Sequence, residues 1–515
     1  MRADDHPTTG SSGPAGADGP GGPAETDTAV LRWLVAATFI VILNETVMIN
    51  AIPRLMADLD VDAVAAQWLS TAFMLTMAVV IPATGWFLQR VTTRRAFAAA
   101  MGTFCAGTLL AALAPGFTVL LVARVVQATG TAVMLPLLMT TLMAVVAEHD
   151  RGRVMGNVTL AMSVAPAMGP AVAGVVLQQL SWRWIFLLVL PVAAGIAVLG
   201  LRRLVDVGEP VAGRLDVPSV VIAALGFGGL VYGLSEVGAT GDRTPAYVAL
   251  LVGVLGVAAF VARQRRLQRE ERPLLDLRTL GIRTYRLALV AMSLGFMAML
   301  GAMILLPLHL QEQRGLSPLA TGLVVMPGGV LMGLLGPTVG RLHDRLGARV
   351  LVVPGAVALT AAMAALAVLV EVGPTWSLVV AHVVLMVGLS AMFTPLFTVG
   401  LGALPMRLHS HGSSLLGTLQ QVAGAMGTAL AVMVMTSRAA QLVADGTAPD
   451  VAAVAGLRWA FAASALLCLV VVAVVSMLPA RVEQPEEQPQ EQAGEPSGEP
   501  SGPGSPVVPE AVARG

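Results

Sequence analysis

Lysine is absent from this 515-residue chain, whose 31 Lys and Arg positions are all arginine. That excludes the phosphate-binding lysine of a P-loop ATPase and the Schiff-base lysine of a pyridoxal enzyme. Charge of either sign is scarce, at 12% of residues, about half of the roughly 25% usual in soluble domains. A soluble protein of this length would need two or three domains with polar surfaces, and this composition cannot supply them. The formal net charge is zero, so no basic field argues for nucleic acid. The two cysteines, Cys105 and Cys468, sit in apolar runs and form neither a disulfide framework nor a metal-ligand spacing. What the chain has in excess is apolar surface: 56% of residues are hydrophobic and the mean hydropathy is +0.79.

That surface is organised in runs. Residues 1–30 and 479–515 are rich in Gly, Pro, Ser and acidic residues and read as disordered tails. The first lacks the basic start and short apolar core of a signal peptide. Between the tails, fourteen runs approach the ~20 residues that cross a bilayer. They lie at about 31–52, 66–88, 96–114, 117–144, 154–179, 183–204, 217–237, 245–263, 286–310, 318–340, 350–371, 374–404, 413–436 and 456–478. The fold class is therefore an all-α polytopic membrane protein. Arginine tests the threading independently: loops after even-numbered helices hold twenty arginines and loops after odd-numbered ones hold six. By the positive-inside rule, both termini are expected in the cytoplasm and the protein in the cytoplasmic membrane.

An internal repeat divides the runs. Gly85–Arg94 (GWFLQRVTTR) matches Gly340–Arg349 (GRLHDRLGAR) at a shift of 255, and Val164–Ala173 matches Val422–Ala431 at a shift of 258. At that second shift Arg124 falls on His382 and Gly130 on Gly388. A six-helix bundle (31–204) is thus expected to recur as a second one (286–478). Between them lie a linker (205–216), two inserted helices (217–265) and a basic loop (266–285). Duplicated bundles around a central site are a transporter architecture.

Three segments carry chemistry. The loop after the second span reads Gly85-Trp-Phe-Leu-Gln89-Arg90-Val-Thr-Thr-Arg94-Arg95, with its repeat at Gly340, Asp344, Arg345 and Arg349. The fourth span carries Arg124-Val-Val-Gln127-Ala-Thr-Gly130, and the first carries Leu43-Asn44-Glu45-Thr46 before Asn50-Ala51-Ile52-Pro53. The fifth carries Ala165-Pro-Ala-Met-Gly169-Pro170-Ala-Val-Ala-Gly174. In order and placement these resemble the motifs of the major facilitator superfamily, in its fourteen-spanner drug:proton antiporter subfamily of EmrB/QacA type. The resemblance covers about residues 31–478 and implies two bundles rocking about a central site. It also implies a conformational latch at Gly85, Gln89, Arg90, Arg94, Gly340, Asp344, Arg345 and Arg349, where Gln89 replaces the family aspartate. The segment Ala165, Gly169, Pro170 and Gly174 corresponds to the motif that accompanies export, with alanines at two glycine positions.

Arg124 lies about seven residues inside an apolar run. A guanidinium in hydrocarbon costs at least roughly 2.5–3.5 kcal/mol, so a partner or water is required. Glu45 is the expected partner, displaced one place from the family aspartate, now Asn44; one residue is about 100° of helix rotation. Glu45 lies seven residues from the outer end of its run and Arg124 seven from the outer start of its own, about 10 Å deep in both cases. Desolvation and a nearby guanidinium act on such a carboxylate in opposite senses, which suits a proton carrier. Asn44, Asn50, Gln127 and His382 are candidates for the central cavity. Phe39, Phe73, Phe104, Phe296 and Phe393 are candidate wall residues, and 26 methionines suit a pocket of adaptable shape. His409 and His411 flank Ser410 in an expected cytoplasmic loop, and two ligands do not make a metal site. The Arg263–Arg272 cluster is expected to meet anionic lipid headgroups.

The sequence thus points to a proton-driven exporter of small lipophilic compounds, with neither cofactor nor metal. An importer of a metabolite with the same fold is the first alternative. A receptor or lipid-handling scaffold is the second, although it would gain nothing from a buried charge pair. No loop is long enough for a catalytic domain, so an enzyme is not expected.

Overall fold

Hydrocarbon offers no partner for a backbone N–H or C=O, and a helix satisfies both within one segment. The apolar runs accordingly fold as helices. The computed structural model describes residues 23–61, 63–206, 216–237, 243–270 and 272–479, with fourteen α-helices and no strand among the described residues. The first six are α1 (Pro23–Leu59), α2 (Ala63–Leu88), α3 (Thr93–Ala112), α4 (Phe117–Val145), α5 (Arg151–Gln179) and α6 (Arg183–Arg203). Then come α7 (Val217–Val237) and α8 (Thr244–Arg269). The last six are α9 (Arg283–Leu308), α10 (Pro318–Leu346), α11 (Arg349–Val372), α12 (Thr375–Gly402), α13 (His409–Ala444) and α14 (Pro449–Ser476).

Among the described residues, thirteen of these are long and apolar enough to cross a membrane; several side chains of the remaining helix, α5, lie outside those residues. Both α4 and α12 continue through internal prolines, Pro136 and Pro395. Local signals set several ends. The Thr92 hydroxyl accepts from the Arg95 N–H to start α3, and Ser317 does the same for Ala320 ahead of α10. Gly347, at φ +82°, ends α10 in the left-handed region and lets α11 begin two residues later.

The helices α1–α6 pack as one bundle and α9–α14 as another. One close approach recurs at equivalent positions of the two bundles. A Cβ at Gly130 on α4 would strike the Ala100 carbonyl and the Phe104 nitrogen on α3. A Cβ at Gly388 on α12 would come within 2.9 Å of the Gly355 carbonyl and the Leu359 nitrogen on α11, the equivalent atoms one repeat later. Between the bundles, α7 and α8 pack on each other and α7 lies against α2 and α13. The outer face of α8 presents exposed Leu251, Val254 and Leu255, as a lipid-facing helix should.

The ends of α2, α4, α6, α8, α10 and α12 share one face with most of the loop arginines, hereafter the arginine-rich face. There the Asp216 carboxylate accepts two hydrogen bonds from Arg263, both of 2.7 Å. Arg263 is thereby spent on α7, not on a headgroup; Arg265, Arg269 and Arg272 of the cluster remain exposed. Those bonds hold the Asp216 carboxyl down to about 2, with Ser219 adding to the effect against partial burial. Buried Gln264 bonds the Ser219 hydroxyl and the backbone N–H groups of Leu274 and Leu275, which ties the hairpin to the segment leading into α9.

The two bundles meet along α5–α10 and α2–α13. Every side-chain hydrogen bond between them among the described residues lies in the half nearer the arginine-rich face: Thr84–Ser414, Gln89–Arg407, Thr140–Ser413, Thr159–Thr394 and Asp344 with Gly152 and Arg153. This conformation is closed toward that face.

Candidate functional site

The site is built where α1, α2 and α4 converge. Arg124 is 1% exposed and three neighbours hold it. Its Nη1 donates to Gln127 Oε1 at 3.0 Å, one helical turn on, and its Nε donates to the Leu69 carbonyl on α2 at 3.4 Å. Its Cζ lies 4.1 Å from the centre of the Phe73 ring, within cation–π range. Gln127 passes the bonding on: its amide donates to the Thr108 hydroxyl at 2.8 Å, which donates to the Phe104 carbonyl. Arg124, Gln127 and Thr108 thus form one buried hydrogen-bonded chain that ends on the α3 backbone.

Glu45 is arranged in the opposite way. On α1, Val41, Asn44, Met48 and Ala51 form a fully buried stripe, and Glu45 stands about 100° round from Asn44, only partly buried. No hydrogen bond or ion pair reaches the Glu45 carboxylate among the described residues, yet Arg124 is close enough to act on it electrostatically. The expected pair is therefore adjacent but not closed. Glu45 also lies farther from the end of its helix than the apolar run suggests, because α1 continues to Leu59. Contact is made because Arg124 reaches α2 at the level of Leu69 and Phe73.

The remaining cavity candidates are dispersed. Asn44 turns into the bundle, fully buried, with both amide atoms unpartnered. The Asn50 side chain lies outside the described residues. His382 is buried on α12 with its ring against Gly328 of α10, and no bond joins it to Arg124. Of the five phenylalanines, Phe73 alone carries a polar duty.

The latch residues form two seams. At α5–α10, the Asp344 carboxylate accepts from the backbone N–H groups of Gly152 and Arg153 at 2.9 and 2.8 Å, capping the first turn of α5 across the interface. A carboxylate there complements the partial positive charge of a helix N-terminus. Gly340 lies against the Gly152 backbone with no room for a Cβ. At α2–α13, Gln89, one repeat before Asp344, donates its amide to the Arg407 carbonyl at 2.9 Å. Gly85, one repeat before Gly340, faces His411, whose Nδ1 would lie 2.9 Å from an added Cβ. The arginines of the motif do not pair with Asp344. Arg90 folds over the Trp86 ring at 4.6 Å, the Arg94 backbone N–H bonds Asp206, and Arg345 and Arg349 are exposed.

Two further placements differ from expectation. His409 and His411 do not lie in a loop; they open α13 and are buried in the second seam with Ser410, Ser413 and Ser414. On α5, Ala165 is buried and Gly169 abuts Thr46 of α1, while the Pro170 and Gly174 side-chain positions lie outside the described residues. Sequence reasoning missed Leu69, Thr108 and the interface threonines Thr84, Thr140, Thr159 and Thr394. A threonine inside an apolar run bonds its own helix as often as a neighbour, so its position gives no signal.

Comparison with known proteins places this geometry. The chain matches the Major Facilitator Superfamily over residues 34–428. It is 37% identical to the lincomycin resistance protein LmrB of Listeria monocytogenes over 425 residues, 82% of this chain and 89% of that protein. It is 37% identical to the MFS-type transporter YcnB of Bacillus subtilis over 443 residues, 86% and 93% of the two chains. The putative multidrug resistance protein MdtD of Serratia proteamaculans is 31% identical over 422 residues, 81% of this chain and 87% of that one. Among solved structures, the human organic anion transporter MFSD10 superimposes with a TM-score of 0.63 at 13% identity, covering 87% of this chain and 99% of that one. The proton:xylose symporter XylE bound to a sugar analogue gives 0.59 at 14% identity, covering 89% and 97%. These two likenesses establish the fold.

Proposed function

Because the chain belongs to the Major Facilitator Superfamily, we propose that this multi-pass membrane transporter is a proton-driven antiporter exporting small lipophilic compounds by alternating access. The arginine-rich face is the cytoplasmic one, both termini lie on that side, and the membrane is the cytoplasmic membrane. The present conformation, closed toward that face, is then the outward-facing state.

The observation that carries the reading is the contrast at the site. Glu45 is an unbonded, partly exposed carboxylate inside a span, and Arg124 beside it is held by Gln127, the Leu69 carbonyl and the Phe73 ring. An intramembrane acid without a partner is a functional group by default, because its cost is not repaid in stability. A proton taken from outside neutralises Glu45 and permits the halves to rock. Release toward the cytoplasm, favoured by the positive field of Arg124, completes the cycle, and substrate leaves in the opposite sense. The names of the LmrB and MdtD relatives favour an antibiotic-sized, lincosamide-like or similarly amphiphilic cargo. The exposed Arg265, Arg269 and Arg272 suit anionic headgroups at the cytoplasmic surface.

The test uses inverted vesicles from a host lacking its own pumps, energised to an acid interior, with lincomycin and a panel of lipophilic dyes. Uptake that collapses with an uncoupler and is lost in Glu45→Gln is expected. Undiminished, pH-dependent uptake by Glu45→Gln overturns the assignment of coupling to this residue.

A further inference from the structure

Arg124 is held by unequal means. Gln127 is on its own helix and moves with it, and the Leu69 bond is long at 3.4 Å. The remaining hold is the Phe73 ring, face-on at 4.1 Å and 1% exposed. Desolvated cation–π contacts are the strong ones, because no water competes for the guanidinium. The ring sits on α2, so it fixes Arg124 relative to a helix other than its own.

The internal repeat supplies a control. One repeat after Phe73 is Gly328, and one repeat after Arg124 is His382, so both ring and guanidinium are missing together from the second half. His382 nevertheless packs on Gly328 as Arg124 packs on Phe73. In the second half the His382 imidazole itself takes the space that a side chain at position 328 would need, and that half keeps neither the phenyl ring nor the cation. The ring accompanies the cation.

From this geometry we infer that Phe73 is a positioning residue for proton coupling: its ring holds the Arg124 guanidinium off Glu45 and thereby sets how strongly the carboxylate retains its proton. The inference rests on the reading of Glu45 given above. Coulomb attraction between two charges in a low-dielectric site rises steeply as they approach. Freed from the ring, Arg124 has one unbonded carboxylate in reach, and closing on it would stabilise the ionised form.

The experiment titrates purified full-length protein in detergent by infrared difference spectroscopy, following the carbonyl band of protonated carboxyl groups, and needs no substrate. The Glu45 band is the one missing in Glu45→Gln. Phe73→Leu removes the π face, and Phe73→Met does so with closer volume should leucine impair folding. Phe73→Tyr keeps the ring, and size-exclusion profiles confirm folded protein. The Glu45 midpoint is expected to fall by about one pH unit in Phe73→Leu or Phe73→Met and to stay in place in Phe73→Tyr. In an Arg124→Gln background, Phe73→Leu should add no further shift, whereas a general packing defect would shift both backgrounds alike. An unchanged midpoint in Phe73→Leu and Phe73→Met overturns the role of Phe73 and leaves Glu45 as the coupling group. Loss of no band in Glu45→Gln overturns the Glu45 reading itself.

Discussion

The two seams that close the arginine-rich face occupy the same place in the repeat and do different chemistry. At α5–α10 a carboxylate, Asp344, caps a helix N-terminus. At α2–α13 an amide, Gln89, donates to the carbonyl of Arg407, ahead of the helix it faces. An acid must find donors, and the first turn of α5 offers two. An amide can donate, and so reaches for a carbonyl instead. The backbone follows the side chains. Gly347 takes φ +82° and lets α10 run to Leu346, whereas Thr92, one repeat earlier, is an N-cap and α2 stops at Leu88. One seam is thus a charge held by a helix dipole, and the other is a neutral contact backed by buried histidine and serine. The first should dominate the stability of the closed state.

The most severe way to break the comparison is steric. Gly340→Val puts side-chain atoms into the Gly152 backbone, so the α5–α10 seam cannot close. Transport should fall more than about tenfold, since a buried clash costs on the order of 1–3 kcal/mol or more. Spin labels on exposed Arg153 and Arg345 should report a longer distance across the seam. Gly85→Ala meets the His411 side chain, which can move, and should cost clearly less.

Removing the charge is next. Asp344→Asn keeps one acceptor but loses the charge–dipole term, worth about 0.3–1 kcal/mol at a helix end. The closed population should drop about two- to fivefold, read from the same label pair. The converse, Gln89→Asp, sharpens the comparison by offering a carboxylate to the first turn of α13. A gain of similar size in the closed population, with slower turnover, is expected. No gain would mean that α13, which opens on buried histidine and serine, does not accept a charge as α5 does.

The smallest effect belongs to a contact outside both seams. Asp216→Asn loses the paired bonds to Arg263, an exposed-edge ion pair worth about 1 kcal/mol or less. Thermal unfolding should shift by a few degrees at most, with transport unchanged. Asp216 is held at about 2 against an ordinary 3.8. A depressed carboxyl contributes its full stabilisation above the ordinary value and loses it as pH falls through the lower one. Melting curves of wild type and variant should therefore differ equally at pH 7 and pH 5, and converge only toward pH 2.

Much of the architecture was legible in the chain because a membrane leaves few choices. Runs of ~20 apolar residues must be helices, and two short matches at shifts of 255 and 258 pointed to a repeat with an inserted pair. Arg124 declared itself by its cost. Its partners did not, because Phe73 was one of five phenylalanines in apolar runs, and only the fold selects the one at 4.1 Å. Asn44 shows the same limit: beside Glu45 in sequence, it faces another direction, and helix phase alone could not say which of the two met the interior. His409 and His411 read as loop because their polar neighbours look solvated; the seam buries them by pairing Ser413 and Ser414 with Thr140 and Thr84.

The hairpin of α7 and α8 lies along only one of the two seams. It covers the flank where α2 meets α13, while among the described residues no inserted element stands beside α5 and α10. A compound dissolved in the bilayer therefore encounters two unlike sides, one screened by an extra pair of helices and one bare. Rocking that loosens the seams equally would still admit such a compound preferentially on the α5–α10 side. The insertion thus breaks the two-fold likeness of the bundles at their flanks, with a helix laid over one seam and not over the other among the described residues.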